Sequence, residues 1–265
     1  MPIIRIDDPQ DPRLAPYRHI RDRDLARGDL FIAEGKVVLD VLFSARRFEA
    51  DSLLLLESRL QGMAATLDKA PGRLPVYVAP PPVMDAVAGF NIHRGILAAV
   101  RRRAAETPAE LIAALPADAL VLVLVGISNH DNVGAMFRNA AAFGVDAVLL
   151  DATSCDPLYR KAIRVSVGAA LRVPYAVAED AGALIRALGD AGFEQFALSP
   201  RGTLDIAGVE RPPRAALYLG TEGEGLPEDV MRRMTTLRIP IASGFDSLNV
   251  ATAAAVALHR LFRQR

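Results

Sequence analysis

Along this chain, apolar runs of strand length alternate with segments whose apolar positions recur at helical spacing. The alternation is plainest in the second half. ALVLVLVGI (119–127) is an unbroken run of leucine and β-branched residues, as in a parallel strand buried on both faces. DNVGAMFRNAAAFG follows as a helix with Val133, Phe137, Ala140 and Ala141 on one stripe, and Gly144 ends it. Next come AVLL (147–150), a helix near Tyr159 to Val165, YAVA (175–178) and a helix from Ala181 to Leu188. QFALS (195–199), ALYLG (216–220), a helix from Pro227, the strand LRIPI (237–241) and a helix from Ser247 to about Arg263 complete the series. The pattern predicts an α/β fold with a doubly wound parallel sheet of five or six strands.

The first half reads as a smaller α/β unit. An arginine-rich helix candidate runs from Arg18 to Arg27, and FIAEGKVVLDVLF is helical by its spacing. Ser52 to Leu56 and LPVYVA are strands, Pro80-Pro81-Pro82 is a break, and GILAAVRR is strand-like. RRRAAETPAELIAALPAD, a charge cluster followed by Pro108, a short helical stretch and Pro116, reads as a break between halves, so the expected organisation is 1–105, a linker over 106–117 and 118–265.

Composition narrows the class. With 51% hydrophobic residues the chain can bury a sizeable core, and no apolar run reaches the roughly 18 residues of a membrane span. MPIIRIDDPQDPR carries early acids and no apolar core, unlike a secretory signal. One cysteine, Cys155, excludes an internal disulfide framework and a cysteine-cluster metal site, and nothing near it suggests an activated nucleophile. A cytoplasmic location is the expectation. Basic and acidic residues number 16 and 13 over residues 1–105, and 15 and 18 beyond, too weak an asymmetry to mark a nucleic-acid binder. Three of the 31 basic residues are lysine; arginine suits bidentate phosphate contacts, though codon bias produces the same excess.

The glycines bear on chemistry. The GISNHDNVGAMFRN turn after the first strand of the second half lacks the GxGxxG spacing of a dinucleotide site, and a Walker A pattern is absent. Glycines cluster instead in GTEGEGLP (220–227) and ASGFDSLN (242–249), each between a predicted strand and a predicted helix. Loops at the carboxyl ends of parallel strands are where such sheets bind ligands. No His, Asp or Glu set has metal-ligand spacing, so no metal is expected.

NVGAMFRN (132–139), YLGTEGEGLP (218–227) and IPIASGFDSLNVATAAAVAL (239–258) resemble, in order, spacing and content, the three motifs of the SpoU family of SPOUT RNA methyltransferases. The resemblance runs from Leu120 to the C-terminus and includes KAIRVSVGAALRVPY (161–175); AEGKVVLDVL and FNIHRGILAAV resemble the RNA-binding domain that many members carry. It implies a C-terminal parallel-sheet SPOUT domain with a trefoil knot, a feature no sequence pattern can show. It also implies S-adenosyl-L-methionine as cofactor and a ribose 2′-hydroxyl of structured RNA as acceptor; the appended first domain favours ribosomal RNA over transfer RNA. Cofactor contacts would come from Leu219, Gly220, Gly225, Ile239, Ile241 and Leu248, with Ser199 bordering the pocket. As isolated features, these glycines read as tight turns.

A ribose hydroxyl is a poor nucleophile, so a site must position its oxygen and help its proton leave. The three motifs hold no histidine. The resemblance gives the task to Arg138, about 140° round the helix from Val133 and off the apolar stripe. A guanidinium keeps its proton in proteins, so Arg138 reads better as binding phosphate and hydroxyl and stabilising developing charge; outside the motif it would read as a surface arginine. Asn132 and Ser247 match helix caps as well as the family's pocket, which Asn249 also lines. Glu222 matches the second-motif acid, to pair with Arg138 or orient its loop. His130 reads as a loop histidine, and His93 as structural or RNA-contacting.

The family's members imply a homodimer through the knotted region, and the alanine-rich VATAAAVALHRLF suits close packing on the sheet or on a second chain. Arg21, Arg23, Lys36, Arg46 and Arg47 are the phosphate candidates of the first domain. The competing readings are a base-nitrogen methyltransferase, opposed by the NxxxxxR and SLN residues; a non-catalytic RNA-binding paralogue, which motif decay would mark; and a dehydrogenase, weakened by the missing fingerprint.

Overall fold

The computed structural model describes residues 1–18, 29–89 and 94–264; Arg21, Arg23 and His93 lie outside them. Contacts divide the chain into two units, residues 1–104 with 156–172, and residues 105–155 with 173–265.

The first unit is built on β1 (Ile3–Arg5), β2 (Leu30–Glu34), α1 (Lys36–Ala45), β3 (Glu49–Leu56), two single-turn helices α2 (Glu57–Leu60) and α3 (Ala64–Leu67), β4 (Val76–Ala79), α4 (Pro81–Ala88) and β5 (Ile96–Arg101). Its five-stranded sheet has the order β1-β4-β3-β5-β2, with β5 antiparallel to both its neighbours. FIAE is therefore a strand, not part of the expected helix; Gly35, at φ 103°, breaks the chain between β2 and α1. The proline triplet starts a helix, because proline at its first positions has no N–H to lose and a preset φ. Tyr17 is fully buried in this core, and its hydroxyl lies 2.8 Å from Ser52 Oγ.

The second unit holds α5 (Pro108–Ala113), β6 (Ala119–Leu124), α6 (His130–Ala142) and β7 (Ala147–Asp151). After β7 the chain supplies α7 (Arg160–Val165) to the first unit, where Arg160 reaches buried Glu34 at 2.9 Å. The second unit resumes with β8 (Tyr175–Ala178), α8 (Ala181–Asp190), β9 (Glu194–Leu198), β10 (Leu204–Asp205), β11 (Arg214–Leu219), α9 (Glu228–Met231), β12 (Thr235–Arg238) and α10 (Val250–Leu261).

Every pairing in its seven-stranded sheet is parallel, in the order β10-β12-β9-β11-β6-β7-β8. The strand beyond the expected five or six is β10, two residues at an edge with no apolar run to betray it. All of β6 and β7 is buried, matching their polar-free runs up to Asp151. The short helical stretch of the expected linker is a helix at residues 108–113 with a Thr107–Glu110 capping box, and its Leu111 and Ile112 join the core. On α6, Val133, Met136, Phe137 and Ala140 are buried; Ala141, expected on the stripe, is exposed. LRIPI ends as strand at Arg238, because the chain turns away beyond the neighbouring β9. No helix among the described residues is long and apolar enough to cross a membrane.

Candidate active site

Three adjacent strands, β12, β9 and β11, run parallel and end together, so the loops that leave them converge at one end of the sheet. Those loops enclose a cavity of about 360 Å³. Ser199, Leu219, Gly220, Gly225, Ile239, Ile241 and Leu248 all line it, as do Glu222 and Ser247. Leu198, Leu226, Met231 and Val250 add apolar wall, while Arg201, Glu224 and Asp246 add charge. These last three neighbour predicted residues in the sequence, but no periodicity marks them.

Gly220 fixes the wall's shape. A Cβ there would sit 2.3 Å from the Gly225 carbonyl carbon and the Leu226 nitrogen. The loop folds back on itself, with Thr221 N–H donating to the Gly225 carbonyl at 3.2 Å. Behind it, burial pushes the Tyr218 hydroxyl's pKa up, and that hydroxyl donates to Gln195 Oε1 at 2.6 Å.

The remaining motif residues lie off the cavity wall. Asn249 stands between lining residues Leu248 and Val250 and caps α10, its Oδ1 accepting from Ala251 and Thr252 N–H at 3.0 and 3.2 Å. That bond orients its amide, and its Nδ2 donates to the Oδ1 of buried Asn132 at 3.1 Å. Asn132 is thereby oriented in turn, and its own Nδ2 is a buried donor with no hydrogen-bond partner. A buried donor without a partner costs free energy unless a ligand or water meets it. The cap of α6 is Asn129, accepting from Asp131 N–H at 2.8 Å, and Asn132 lies within the helix. Ser247 is likewise not the cap of α10; Asn249 is.

Asn139 was not anticipated. Two turns beyond Asn132 on the same face of α6, it donates from Nδ2 to the Ala251 carbonyl at 2.8 Å, a second clamp between α6 and α10. The seven-residue spacing of the two asparagines was its sign in the sequence. Arg138, one residue earlier, is exposed, and no ion pair joins it to Glu222 among the described residues. His130 opens α6 and is half-buried; Cys155 is half-buried with its N–H on the Ile127 carbonyl. Among the described residues, no group of three or more His, Cys, Asp or Glu is placed to hold a metal ion. In the first unit, Lys36 donates to the Gly62 carbonyl at 2.8 Å, while Arg46 and Arg47 follow α1.

The clamp can be tested by stability. Asn249→Ala removes the cap and the Asn132 bond together and should cost about 1–2 kcal/mol. Asn249→Asp keeps the cap, and Asn132 can turn its amide to donate to the new carboxylate; its stability should stay within about 0.5 kcal/mol of native. Urea midpoints at unchanged slope measure both. Equal losses in the two variants would show that capping is not what Asn249 contributes.

The fold is that of known RNA methyltransferases. It matches an AdoMet-bound rRNA methyltransferase from Sinorhizobium meliloti with a TM-score of 0.80 at 23% identity, covering 98% of this chain and 97% of that one. It matches AviRb from Streptomyces viridochromogenes in complex with AdoMet with a TM-score of 0.80 at 20% identity, covering 95% and 97%. Residues 119–259 match the model of the SpoU rRNA Methylase family. An uncharacterized tRNA/rRNA methyltransferase of Mycobacterium tuberculosis is 41% identical over 97% of this chain and 90% of its own length. The 23S rRNA (guanosine-2′-O-)-methyltransferase RlmB of Vibrio cholerae is 34% identical over 68% of this chain and 74% of its own length. The chain belongs to the SpoU rRNA Methylase family.

Proposed function

We propose that this protein transfers a methyl group from S-adenosyl-L-methionine to a ribose 2′-hydroxyl of ribosomal RNA. The observation that carries the reading is the convergence of residues 199, 219–225 and 239–248 on one cavity at the carboxyl ends of three adjacent parallel strands.

The cavity fits the cofactor. Its volume of about 360 Å³ lies within the range of small-molecule pockets. Leu219, Ile239, Ile241 and Leu248 offer apolar surface to an adenine ring, and Gly220, lacking a side chain, lets the Gly225–Leu226 backbone fold back closely enough to form the cavity wall. Glu222, Glu224 and Asp246 give the site negative charge suited to a sulfonium, and Arg201 suits a carboxylate. When bound, the cofactor supplies an electrophilic methyl group.

The chain's own residues do the rest. Arg138 presents an exposed guanidinium to RNA, to hold a phosphate and the hydroxyl and to stabilise charge developing at O2′. The Asn249–Asn132 bond keeps a buried N–H donor ready for an acceptor atom of the substrate, and Asn139 holds α6 to the start of α10. Ser247, beside the cavity, adds a hydroxyl. Ribosomal RNA is preferred over transfer RNA because the RlmB relative named above acts on 23S rRNA. On this reading the protein acts as a cytoplasmic homodimer without a metal, and its glycine-bearing loops at 220–226 and 239–249 thread a trefoil knot.

Labelled methyl donor and purified ribosomal RNA test this directly. Mass-spectrometric mapping should find a 2′-O-methyl nucleotide that is absent from RNA of cells lacking the gene. A methylated base, or transfer of label to transfer RNA and not ribosomal RNA, would redirect the assignment. Donor binding by calorimetry without transfer to either RNA would leave a non-catalytic paralogue.

A further inference from the structure

Strand β7 closes on a carboxylate. Its other residues are alanine, valine and two leucines, all buried. Asp151 is 5% exposed and meets no cation among the described residues. A buried carboxylate without a countercharge is costly, and for stability alone an apolar residue would serve this strand end better. Hydrogen bonds offset the cost, and where their donors come from is the telling feature.

Gly126 N–H and Ser154 N–H both donate to Asp151 Oδ1 at 3.0 Å, the Ser154 hydroxyl donates to it at 2.7 Å, and the Thr153 hydroxyl donates to Oδ2. Ser154 Oγ, its proton given to Asp151, accepts from Ile127 N–H at 3.0 Å. The Ile127 carbonyl in turn accepts from Cys155 N–H at 2.9 Å. The two residues after Val125, where the chain has left β6, are therefore pinned through their backbone to the turn after β7. Two residues further on, Asn129 caps α6. Gly126 has a φ of 70° and lies close against the loop after β11: a Cβ there would sit 2.9 Å from Thr221 Cγ2. Thr221 lines the cavity. All these residues belong to the second unit.

Given the methyl-transfer reading above, on which this rests, we propose that Asp151 is a positioning residue for the reaction. Directly through Gly126 N–H, and through Ser154 to Ile127 N–H, it fixes the turn between β6 and α6. It thereby sets where α6 starts, and with it where Asn132 and Arg138 stand relative to the cavity. The Asn139 and Asn249 bonds hold α6 against the start of α10; the Asp151 turn holds its entry. Asp151 is not among the residues that line the cavity, so it acts only through the backbone it holds.

Single-turnover transfer to ribosomal RNA, with donor calorimetry and urea midpoints on the same full chains, is the test. Asp151→Ala should slow transfer about ten- to a hundredfold, since a displacement of about 1 Å costs up to that much. Donor affinity should not change, because the Thr221 loop is closed by its own bridge to Gly225. Asp151→Asn keeps an oxygen for Gly126 and Ser154 and can donate to Thr153 Oγ1, so it should restore most of the rate. Val148→Ala is the structural control. It is buried in the same strand, three residues before the turn, and should lower the urea midpoint without slowing the folded enzyme. The positioning role is overturned if Asp151→Ala transfers at the native rate, or if Asp151→Asn or Val148→Ala is slowed as much as Asp151→Ala. It is overturned equally if donor affinity falls in step with the rate, which would place the effect in the cavity loop. Should Asp151→Ala fail to fold, Ser154→Ala decides. That variant removes the acceptor of Ile127 N–H and leaves the Gly126 bond, so slowed transfer with unchanged donor affinity supports the role and a native rate ends it. Absence of transfer by the unaltered chain would instead sink the function itself.

Discussion

Replacing Arg138 by alanine is expected to lower methyl transfer by roughly 10²–10³-fold, the loss seen when one preorganised charge-stabilising donor is removed. Methyl-donor affinity should not change, because Arg138 is not among the residues that line the cavity. Stability should also hold, since the side chain is exposed and the buried face of α6 is carried by Val133, Met136, Phe137 and Ala140. Arg138→Lys keeps the charge but not the planar fork, and should recover part of the rate. Single-turnover transfer to ribosomal RNA and calorimetry of the donor measure the two sides separately. Native turnover in Arg138→Ala would remove Arg138 from the chemistry. A parallel loss of donor binding would show instead that α6 shapes the cofactor cavity.

Much of this site is legible in the sequence, and the reason is local. Residues that line a loop between a buried strand and a helix are brought to the ligand by the strand's end, so their place follows from the strand order. Leu219, Gly220 and Gly225 follow β11, Ile239 and Ile241 follow β12, and Ser199 follows β9; all reach one cavity. Features that depend on pairing across the chain were not legible. Asn249, rather than Ser247, caps α10, and the choice rests on backbone angles in the preceding loop. Asn129 caps α6 three residues before the asparagine that looked like a cap, which leaves Asn132 to meet Asn249. The left-handed backbone of Arg46 at the end of α1, φ 53°, has no sequence sign at all, because arginine after a helix is unremarkable until its φ is known.

The same contrast holds in the fold. Continuous apolar runs located β6 and β7, which are buried along their whole length. FIAE merged with the helical spacing that follows it, since a short apolar run beside a helix has no period of its own. Residues 156–172 follow a strand of the second unit yet pack with the first. Arg160 and Arg164 reach the buried carboxylate of Glu34, at 2.9 and 3.8 Å. An ion pair between residues so far apart in sequence is invisible to any local pattern.

Gly220→Ala should abolish tight donor binding. The added Cβ would lie 2.3 Å from the Gly225 carbonyl carbon and the Leu226 nitrogen, and 2.4 Å from the Gly225 oxygen. These are backbone atoms of a loop closed by the Thr221–Gly225 bridge, so no side chain can swing aside to make room. Forcing a group into such a space costs typically 1–3 kcal/mol. The loop can escape only by opening the bridge, which moves Thr221 to Leu226 away from the cavity they line. Each 1.4 kcal/mol of that cost appearing in binding weakens the donor about tenfold, so a loss of ten- to a hundredfold is expected by calorimetry, with a lower urea midpoint. Gly223→Ala is the internal control. A Cβ there meets nothing within 4 Å, and the residue lies in the same loop and lines the same cavity. It should bind donor and unfold as the native chain does. If both alanine variants bind the donor normally, the loop after β11 is not the cradle, and the cofactor lies elsewhere on the sheet's carboxyl end.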